Sequence, residues 1–164
     1  MRVRAAIPAD MARVAAIYAH YVATSVATFE VDPPPPDYWH DRLAELTERN
    51  LPFLVAENAS EILGYSYASQ WRPKPAYRFT TEDSVYVAPG QGGRGVGSAL
   101  MKPLLDQCAT AGIRRVIAVI ADTGSDASRA LHARFGFTEA GVLNQVGYKH
   151  GRWIDTLLMQ RLLS

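Results

Sequence analysis

The stretch from Glu82 to Leu100 reads EDSVYVAPGQGGRGVGSAL and decides how the rest of the chain is interpreted. Five glycines lie between Gly90 and Gly97. Before them stand alternating and β-branched residues typical of a strand, and after them apolar residues follow helical spacing. Glycine is costly in ordered structure, so its concentration at a strand–helix junction indicates that bare backbone closely approaches a ligand.

An anion is the ligand that this junction favours. Backbone N–H groups at a helix start have no partner inside the helix, and the helix dipole adds about half a positive charge there. Arg94 adds a charged donor. The pattern Gly90-x-Gly92-x-x-Gly95 matches a dinucleotide fingerprint, but the upstream half lacks repeating β-α-β units. A Walker-type phosphate loop requires lysine after its last glycine, where Ser98 stands.

Composition and charge set the class of protein. The chain has 164 residues, of which 48% are hydrophobic and 20% charged, which predicts one soluble domain over residues 1–164. A net charge of +1 provides no global field for nucleic acid or an anionic membrane, and we expect neither as a partner. The single cysteine, Cys108, fits a helical core position and a reducing, cytoplasmic location.

Periodicity predicts the order of elements. A strand (RVRAAI) and a helix from Asp10 come first, and the prolines 33–36 are read as a connector rather than a polyproline ligand. A second helix follows, then a hairpin turning at residues 58–60 and a fourth strand that runs into the glycines. The full order is β-α-α-β-β-β-α-β-α-β-β, an α/β (α+β) chain with a mixed sheet.

Several segments resemble one known family. VYVAPGQGGRGVGSAL resembles the acetyl-CoA segment of the GNAT superfamily of N-acetyltransferases, with its pattern Gln/Arg-x-x-Gly-x-Gly/Ala. Gly95 and Gly97 match the last two glycines, whereas Gly92 stands where a long polar side chain is usual. GYSYASQWR, TEDSVYV, SRALHARFGF and VGYKHGRWIDTLLMQ narrow the resemblance to the phosphinothricin and methionine sulfoximine acetyltransferases.

The resemblance implies a fold and an activity. The GNAT fold has a mixed, mostly antiparallel sheet of about seven strands with helices on both faces. The implied activity transfers acetyl from acetyl-CoA, without a metal, to the α-amine of a small amino acid such as phosphinothricin, methionine sulfoximine or methionine sulfone. Transfer would occur by direct attack in a ternary complex, and a homodimer is implied. Two alternatives stay open: a non-catalytic acetyl-CoA-binding regulatory module, and acetylation of a peptide or protein amine.

The chemistry assigns candidate catalytic residues. An amino acid's amine is mostly protonated at neutral pH and needs a base, for which Glu82 is the candidate. Backbone N–H groups of Val85, Tyr86 and Val87 are candidates to polarise the thioester carbonyl. His132 lies four residues before the Gly-Phe pair, where the family often has tyrosine, and is the candidate acid for the leaving thiolate.

The resemblance also implies two sets of binding residues. The expected coenzyme contacts are Val85, Tyr86, Val87, Gly92, Gly93, Arg94, Gly95, Val96, Gly97, Ser98, Ser125, Ser128 and His132. The expected acceptor contacts are Phe29, Glu30, Arg72, Pro73, Lys74, Glu82, Asp83 and Ser84. The cations among them suit a carboxylate or phosphinate group.

Overall fold

Residues 1–163 are described by the structure, a computed structural model. The strands are β1 (Arg2–Ala5), β2 (Phe53–Asn58), β3 (Glu61–Gln70), β4 (Thr80–Val87), β5 (Arg115–Ala121), β6 (Thr138–Lys149) and β7 (Arg152–Leu162). The helices are α1 (Met11–Thr24), α2 (Asp37–Glu48), α3 (Val96–Thr110) and α4 (Ala127–Arg134). Two short 3₁₀ turns, Pro8–Asp10 and Pro75–Tyr77, complete the elements. The order of strands and α-helices along the chain confirms the predicted order.

One seven-stranded sheet organises the chain, in the order β1-β2-β3-β4-β5-β7-β6. All neighbouring strands are antiparallel except β4 and β5, which run parallel. The predicted hairpin joins β2 to β3, and Ala59 and Ser60 have φ of 47° and 73°. Positive φ at both central residues gives the turn the twist that matches paired strands.

Helices cover both faces of the sheet. α1 and α2 bury Met11, Ile17 and Trp39 against β2, β3 and β4 on one face. α3 buries Leu100 and Leu104 on the other face. The first face therefore carries the α1/α2 layer and the second carries α3. Within residues 1–163 no helix has the length and apolarity that crossing a bilayer requires.

The pairing of β4 with β5 is short. It joins Thr80 to Arg115, Thr81 to Val116 and Glu82 to Ile117, and no further residues pair. β4 nevertheless continues to Val87 beside β3, and β5 continues to Ala121 beside β7. The two strands part after Glu82, and a gap opens in the middle of the sheet.

Candidate functional site

The N-terminus of α3 carries a row of unused donors. Its N-cap, Gly95, has φ 79° and ψ 9°, and no side chain caps the helix. Within residues 1–163, no backbone N–H group from Gly92 to Ser98 donates to a protein acceptor. Unsatisfied N–H groups at a helix start form an anion site, and these seven consecutive residues supply it with donors.

Gly92 has no structural reason of its own to be glycine. Its φ lies outside the left-handed region, and a Cβ added there would meet no protein atom within 4 Å. Gly97 differs, because an added Cβ would lie 3.1 Å from Cδ2 of Leu131 in α4. Gly97 therefore serves the packing of α3 on α4, whereas Gly92 leaves open space where a ligand can approach the backbone.

A second cation stands at the start of α3. Nη1 of Arg134 donates to Oγ of Ser98 over 2.7 Å. Arg94 is exposed in the same loop, so two guanidinium groups flank the unused N–H groups. The sequence carries no signal for Arg134 at this site, because its position beside α3 depends on the close packing of Gly97 on Leu131.

The gap between β4 and β5 exposes backbone donors. The N–H group of Ala88, directly after β4, donates to the carbonyl of Leu63 in β3 and therefore points to β3. Because N–H groups alternate along a strand, those of Val85 and Val87 point into the gap, and that of Tyr86 points to β3. Val119 of the central strand β5 is 41% exposed, as expected beside an open gap.

This alternation corrects one sequence expectation. Tyr86 was expected to present its N–H group beside those of Val85 and Val87, but the register of β4 on β3 turns it away from the gap. Its side chain lies on the α1/α2 face, where burial raises the pKa of the phenol and keeps it protonated. The carbonyl of Val87 accepts a hydrogen bond from the hydroxyl of Tyr21, so α1 reaches the edge of the gap.

Glu82 faces the α1/α2 side of the sheet beside the end of the β4–β5 pairing. Burial, with a smaller effect from the charge of Asp83, raises the pKa of its carboxyl group, and Arg72 and Arg42 oppose the rise. A carboxyl group with a raised pKa is a stronger base once ionised. Ser84 shares the face of Glu82, since side chains two apart along a strand point the same way.

Asp83 does not share that face. The resemblance grouped it with Glu82 and Ser84 as an acceptor contact, but successive side chains of a strand point to opposite faces. The Asp83 side chain is buried on the α3 side, where its Oδ2 lies 2.7 Å from Nε2 of His132. Asp83 therefore interacts with α4 rather than lining the side that Glu82 faces.

His132 is held between two acceptors. Its Nδ1 lies 2.7 Å from the carbonyl oxygen of Ser128, and its Nε2 faces the Asp83 carboxylate. Since a carbonyl only accepts, Nδ1 carries a proton, and the carboxylate favours a proton on Nε2 as well. Burial lowers the pKa of His132, but the hydrogen bond and charge of Asp83, with the Ser128 carbonyl, raise it overall. A proton for a leaving group would have to leave this contact with Asp83.

Ser125 and Ser128 lie at the start of α4. Oγ of Ser125 accepts from the N–H of Ala127 over 3.2 Å, and the residue is exposed. Oγ of Ser128 lies 3.4 Å from Nδ1 of His132. Both serines stand just beyond the end of β5, across the gap from β4.

The residues of the basic loop after β3 differ in their relation to Glu82. The guanidinium of Arg72 lies 4.0 Å from the ring centroid of Trp71, and its charge acts on Glu82. Pro73 and Lys74 are exposed, and Nε2 of Gln70 donates to the carbonyls of Arg72 and Lys74 at 2.7 and 3.4 Å. Arg72 is therefore the member of this loop that the structure brings close to Glu82.

A further cation that the sequence does not predict at this site is Arg42 of α2. Its Nη2 donates to the hydroxyl of Tyr38 over 2.8 Å. Its guanidinium carbon lies 5.5 Å from the ring centroid of Tyr38 and 5.4 Å from that of Tyr67. Tyr38 and Arg42 are four residues apart in α2, a spacing visible in the sequence, but only the packing of α2 on β3 shows that Arg42 approaches Glu82.

The segment with Phe29 and Glu30 is anchored from several sides. Nζ of Lys149, a buried residue of β6, donates to the carbonyl of Thr28 over 2.8 Å. The hydroxyls of Tyr18 and Thr28 are 2.6 Å apart. A Cβ added to Gly147 would lie 2.5 Å from the ring of Phe29, so that ring covers the backbone of β6. The predicted acceptor contacts in this segment thus stand on a fixed loop.

Cys108 is remote from this chemistry. It is fully buried in the α3 layer, and burial raises the pKa of its thiol to about 12. A thiol with this pKa is not ionised near neutrality and is a poor nucleophile. Within residues 1–163, no three His, Cys, Asp or Glu side chains are grouped to hold a metal ion.

Comparison with known proteins defines the class. The acetyltransferase (GNAT) family matches residues 14–137, and the chain belongs to this family. A solved phosphinothricin acetyltransferase from Sinorhizobium meliloti, in complex with acetyl-CoA, superposes with a TM-score of 0.95 at 40% identity, covering 99% of this chain and 88% of that one.

Two curated relatives are similar over nearly the whole chain. Phosphinothricin N-acetyltransferase of Alcaligenes faecalis is 50% identical, over 94% of this chain and 79% of that protein. The L-methionine sulfoximine/L-methionine sulfone acetyltransferase of Pseudomonas paraeruginosa is 38% identical, over 96% and 92%. The fold is the GNAT fold, and the protein is an acyltransferase enzyme.

The Asp83–His132 pair predicts a pH-dependent stability. The pKa of His132 in the folded chain lies above its ordinary value of 6.5, so the folded state binds the proton more tightly. This contribution to the free energy of unfolding is fully present below pH 6.5 and is lost as pH rises through the raised pKa. Asp83→Asn should lower the stability near pH 6 by about 3 kcal/mol or more.

The measurement combines denaturation at several pH values with an NMR titration of the imidazole. In Asp83→Asn the pKa of His132 should fall below 6.5, because burial then acts unopposed by the carboxylate. Glu139→Gln, which breaks an exposed pair with Arg129, is the control. An unchanged His132 titration in Asp83→Asn would show that the carboxylate does not hold the proton.

Proposed function

We propose that this enzyme transfers the acetyl group of acetyl-CoA to the α-amine of a small amino acid of the phosphinothricin, methionine sulfoximine or methionine sulfone type. The observation that carries the proposal is the gap between β4 and β5, which has unused backbone donors along one side and Glu82 at its closed end. The names of the relatives and the acetyl-CoA complex of the structural neighbour support the same coenzyme and acceptor class.

The coenzyme is held mainly by backbone. Its diphosphate binds the N–H groups of residues 92–98, with Arg94 and Arg134 adding charge. Its pantetheine arm lies in the gap, along the edge of β4 that carries the N–H groups of Val85 and Val87. One of these two donors polarises the thioester carbonyl, a contribution worth about 3 kcal/mol for one donor aimed at a developing oxyanion. The hydroxyls of Ser125 and Ser128 contact the coenzyme from the start of α4.

The amine attacks from the α1/α2 face. Glu82 takes the proton of the amine, directly or through a water, and the neutral amine attacks the thioester carbon in a ternary complex. The acceptor lies among Phe29, Glu30, Arg72 and Ser84. Protonation of the leaving thiolate by His132 stays a prediction, because that proton faces Asp83 and would have to be passed on from there.

One assay tests both the class of the acceptor and the role of Glu82 as the base. Release of free thiol from acetyl-CoA is measured with phosphinothricin, methionine sulfoximine, methionine sulfone, ordinary amino acids and short peptides with free N-termini. We expect the first three to give the highest kcat/KM. Glu82→Gln should lower kcat by about 100-fold or more with little change in the KM for acetyl-CoA, because it removes the base and leaves the coenzyme contacts.

The pH profile separates a base from a structural carboxylate. Activity of the wild type should rise with pH through the raised pKa of Glu82, and Glu82→Gln should lose that limb. Glu61→Gln, at the exposed start of β3, is the matched control. Full turnover by Glu82→Gln at neutral pH would exclude Glu82 from the mechanism, and a preference for peptides would exclude the proposed acceptor class.

Gly92 tests the coenzyme site. Because Gly92 is exposed and a Cβ added there meets no described protein atom within 4 Å, Gly92→Val should leave stability within about 0.5 kcal/mol of wild type. The same side chain blocks the approach of the diphosphate, so the KM for acetyl-CoA should rise about tenfold or more, with a smaller rise in Gly92→Ala. Initial rates and thermal melting measure the two effects. An unchanged KM would place the diphosphate elsewhere.

We also propose that two copies associate through β6 and β7, and that the enzyme works in the cytoplasm. β6 is an edge strand, and an exposed edge is a template for pairing with another chain. Apolar side chains are exposed on this hairpin, namely Val142, Leu143, Val146, Tyr148 and Trp153, at 46–61%. The rings of Tyr148 and Trp153 lie 4.9 Å apart and form a continuous patch that suits a second copy.

Light scattering tests the association. Trp153→Glu should convert a dimer into a monomer, because it buries a charge in an apolar interface. Ile7→Glu, at a half-exposed residue beside the opposite edge strand β1, is the matched control and should stay dimeric. A monomeric wild type would exclude the dimer.

A further inference from the structure

Arg42 is a half-buried cation without a salt bridge in the described part of the chain. Its contacts are the hydroxyl of Tyr38 and the ring faces of Tyr38 and Tyr67. Within residues 1–163 no carboxylate lies within 4.0 Å of its guanidinium. A guanidinium has five N–H donors in a planar fork, and one of them is used here. Cations withdrawn from water are normally paired, so this arrangement has room for an anion.

Arg42 lies on the face where the amine would be deprotonated. Tyr67 pairs with Ser84 across β3 and β4, so the two side chains share a face, and Ser84 opposes the rise that burial causes in the pKa of the Tyr67 phenol. Glu82 is two residues before Ser84, and the charge of Arg42 reaches it and opposes the rise of its pKa. Arg42, Ser84 and Glu82 therefore lie on the same side of the sheet, the side that α2 covers.

The chemistry of an amino acid matches a cation and a base on the same side of the sheet. Its amine and its carboxylate are attached to the same carbon, so a base that receives the amine has the carboxylate close by. A carboxylate accepts two parallel hydrogen bonds from a guanidinium, which fixes orientation as well as charge. Arg72 is less suited, because it is exposed and stacked on Trp71, whereas the hydroxyl of Tyr38 already orients Arg42.

We propose that Arg42 binds the α-carboxylate of the acceptor and makes the enzyme selective for α-amino acids over other amines. The assignment rests on the proposed transfer to an amino-acid amine. It leaves Arg72, at the rim, to contact the oxidised or anionic end of the acceptor side chain. Arg42 is a binding residue in this account, and Glu82 remains the base.

The test compares an acceptor with and without its negative charge. kcat/KM is measured for L-methionine sulfone and for its α-amide, with wild type, Arg42→Met and Arg42→Lys. In wild type the acid should be preferred. Arg42→Met should reduce the acid-to-amide ratio by about 30-fold or more, mainly through the KM for the acid, since a charged partner is lost from a desolvated site. The acid-to-amide ratio of Arg42→Lys should lie between those of wild type and Arg42→Met, because lysine keeps the positive charge but lacks the planar fork of donors.

Two controls isolate the effect. Arg13→Met removes an exposed arginine from α1 and should leave the ratio unchanged. Arg72→Met should lower the preference for methionine sulfone over methionine while leaving the acid-to-amide ratio near that of wild type. Thermal melting of each variant shows whether the fold is retained, and Arg42→Lys supplies the comparison if Arg42→Met unfolds.

A binding measurement separates this inference from the proposed function. Calorimetry with N-acetyl-L-methionine sulfone and its amide reports carboxylate recognition without any turnover. Carboxylate-dependent binding that Arg42→Met abolishes supports the assignment even if wild type transfers no acetyl group, in which case the proposed function fails alone. Equal losses for acid and amide, or an unchanged preference in Arg42→Met, would overturn the assignment and leave Arg42 as a packing residue.

Discussion

The parting of β4 and β5 after Glu82 and Ile117 is the constraint on which the rest of the structure depends. Paired backbone in the middle of a sheet has no donors to spare, and here the pairing stops while both strands continue. The register of β4 on β3 turns the N–H groups of Val85 and Val87 into the space between them. The gap thus leaves these two backbone N–H groups of β4 available to an extended ligand.

The same strand leads directly into the anion site. β4 ends at Val87, the glycine loop follows, and α3 begins at Val96. Unused N–H groups therefore border the gap along β4 and continue at the start of α3, as acetyl-CoA requires of a site that holds both its arm and its diphosphate. Alternation along β4 also separates the ionisable groups: Glu82 faces the α1/α2 layer, and Asp83 holds His132 on the α3 side. The two neighbouring carboxylates lie in different environments because successive side chains of a strand point to opposite faces of the sheet.

The sequence predicted the fold well and the site in part. Element order follows from local signals, namely periodicity, turn residues and glycines, and these are present in the chain itself. The donors of the glycine loop are local in the same sense, since they belong to one helix start. That Asp83 faces away from Glu82 follows from the alternation of side chains along a strand. Its pairing with His132 depends on the packing of α4, and the direction of the Tyr86 N–H group depends on register; the segment around Glu82 contains neither. Arg42 and Arg134 were missed because each reaches the site from another element through helix packing, and a single arginine in a helix carries no signal of that.

The central claim is that the gap and the start of α3 form one coenzyme site, and amide NMR during a titration with acetyl-CoA tests it most directly. The account predicts saturable shifts that are largest for the backbone amides of Val85, Val87 and residues 92–98, with the Tyr86 amide, bonded toward β3, moving less. Saturable shifts confined to other parts of the chain, with these amides unmoved, would contradict it.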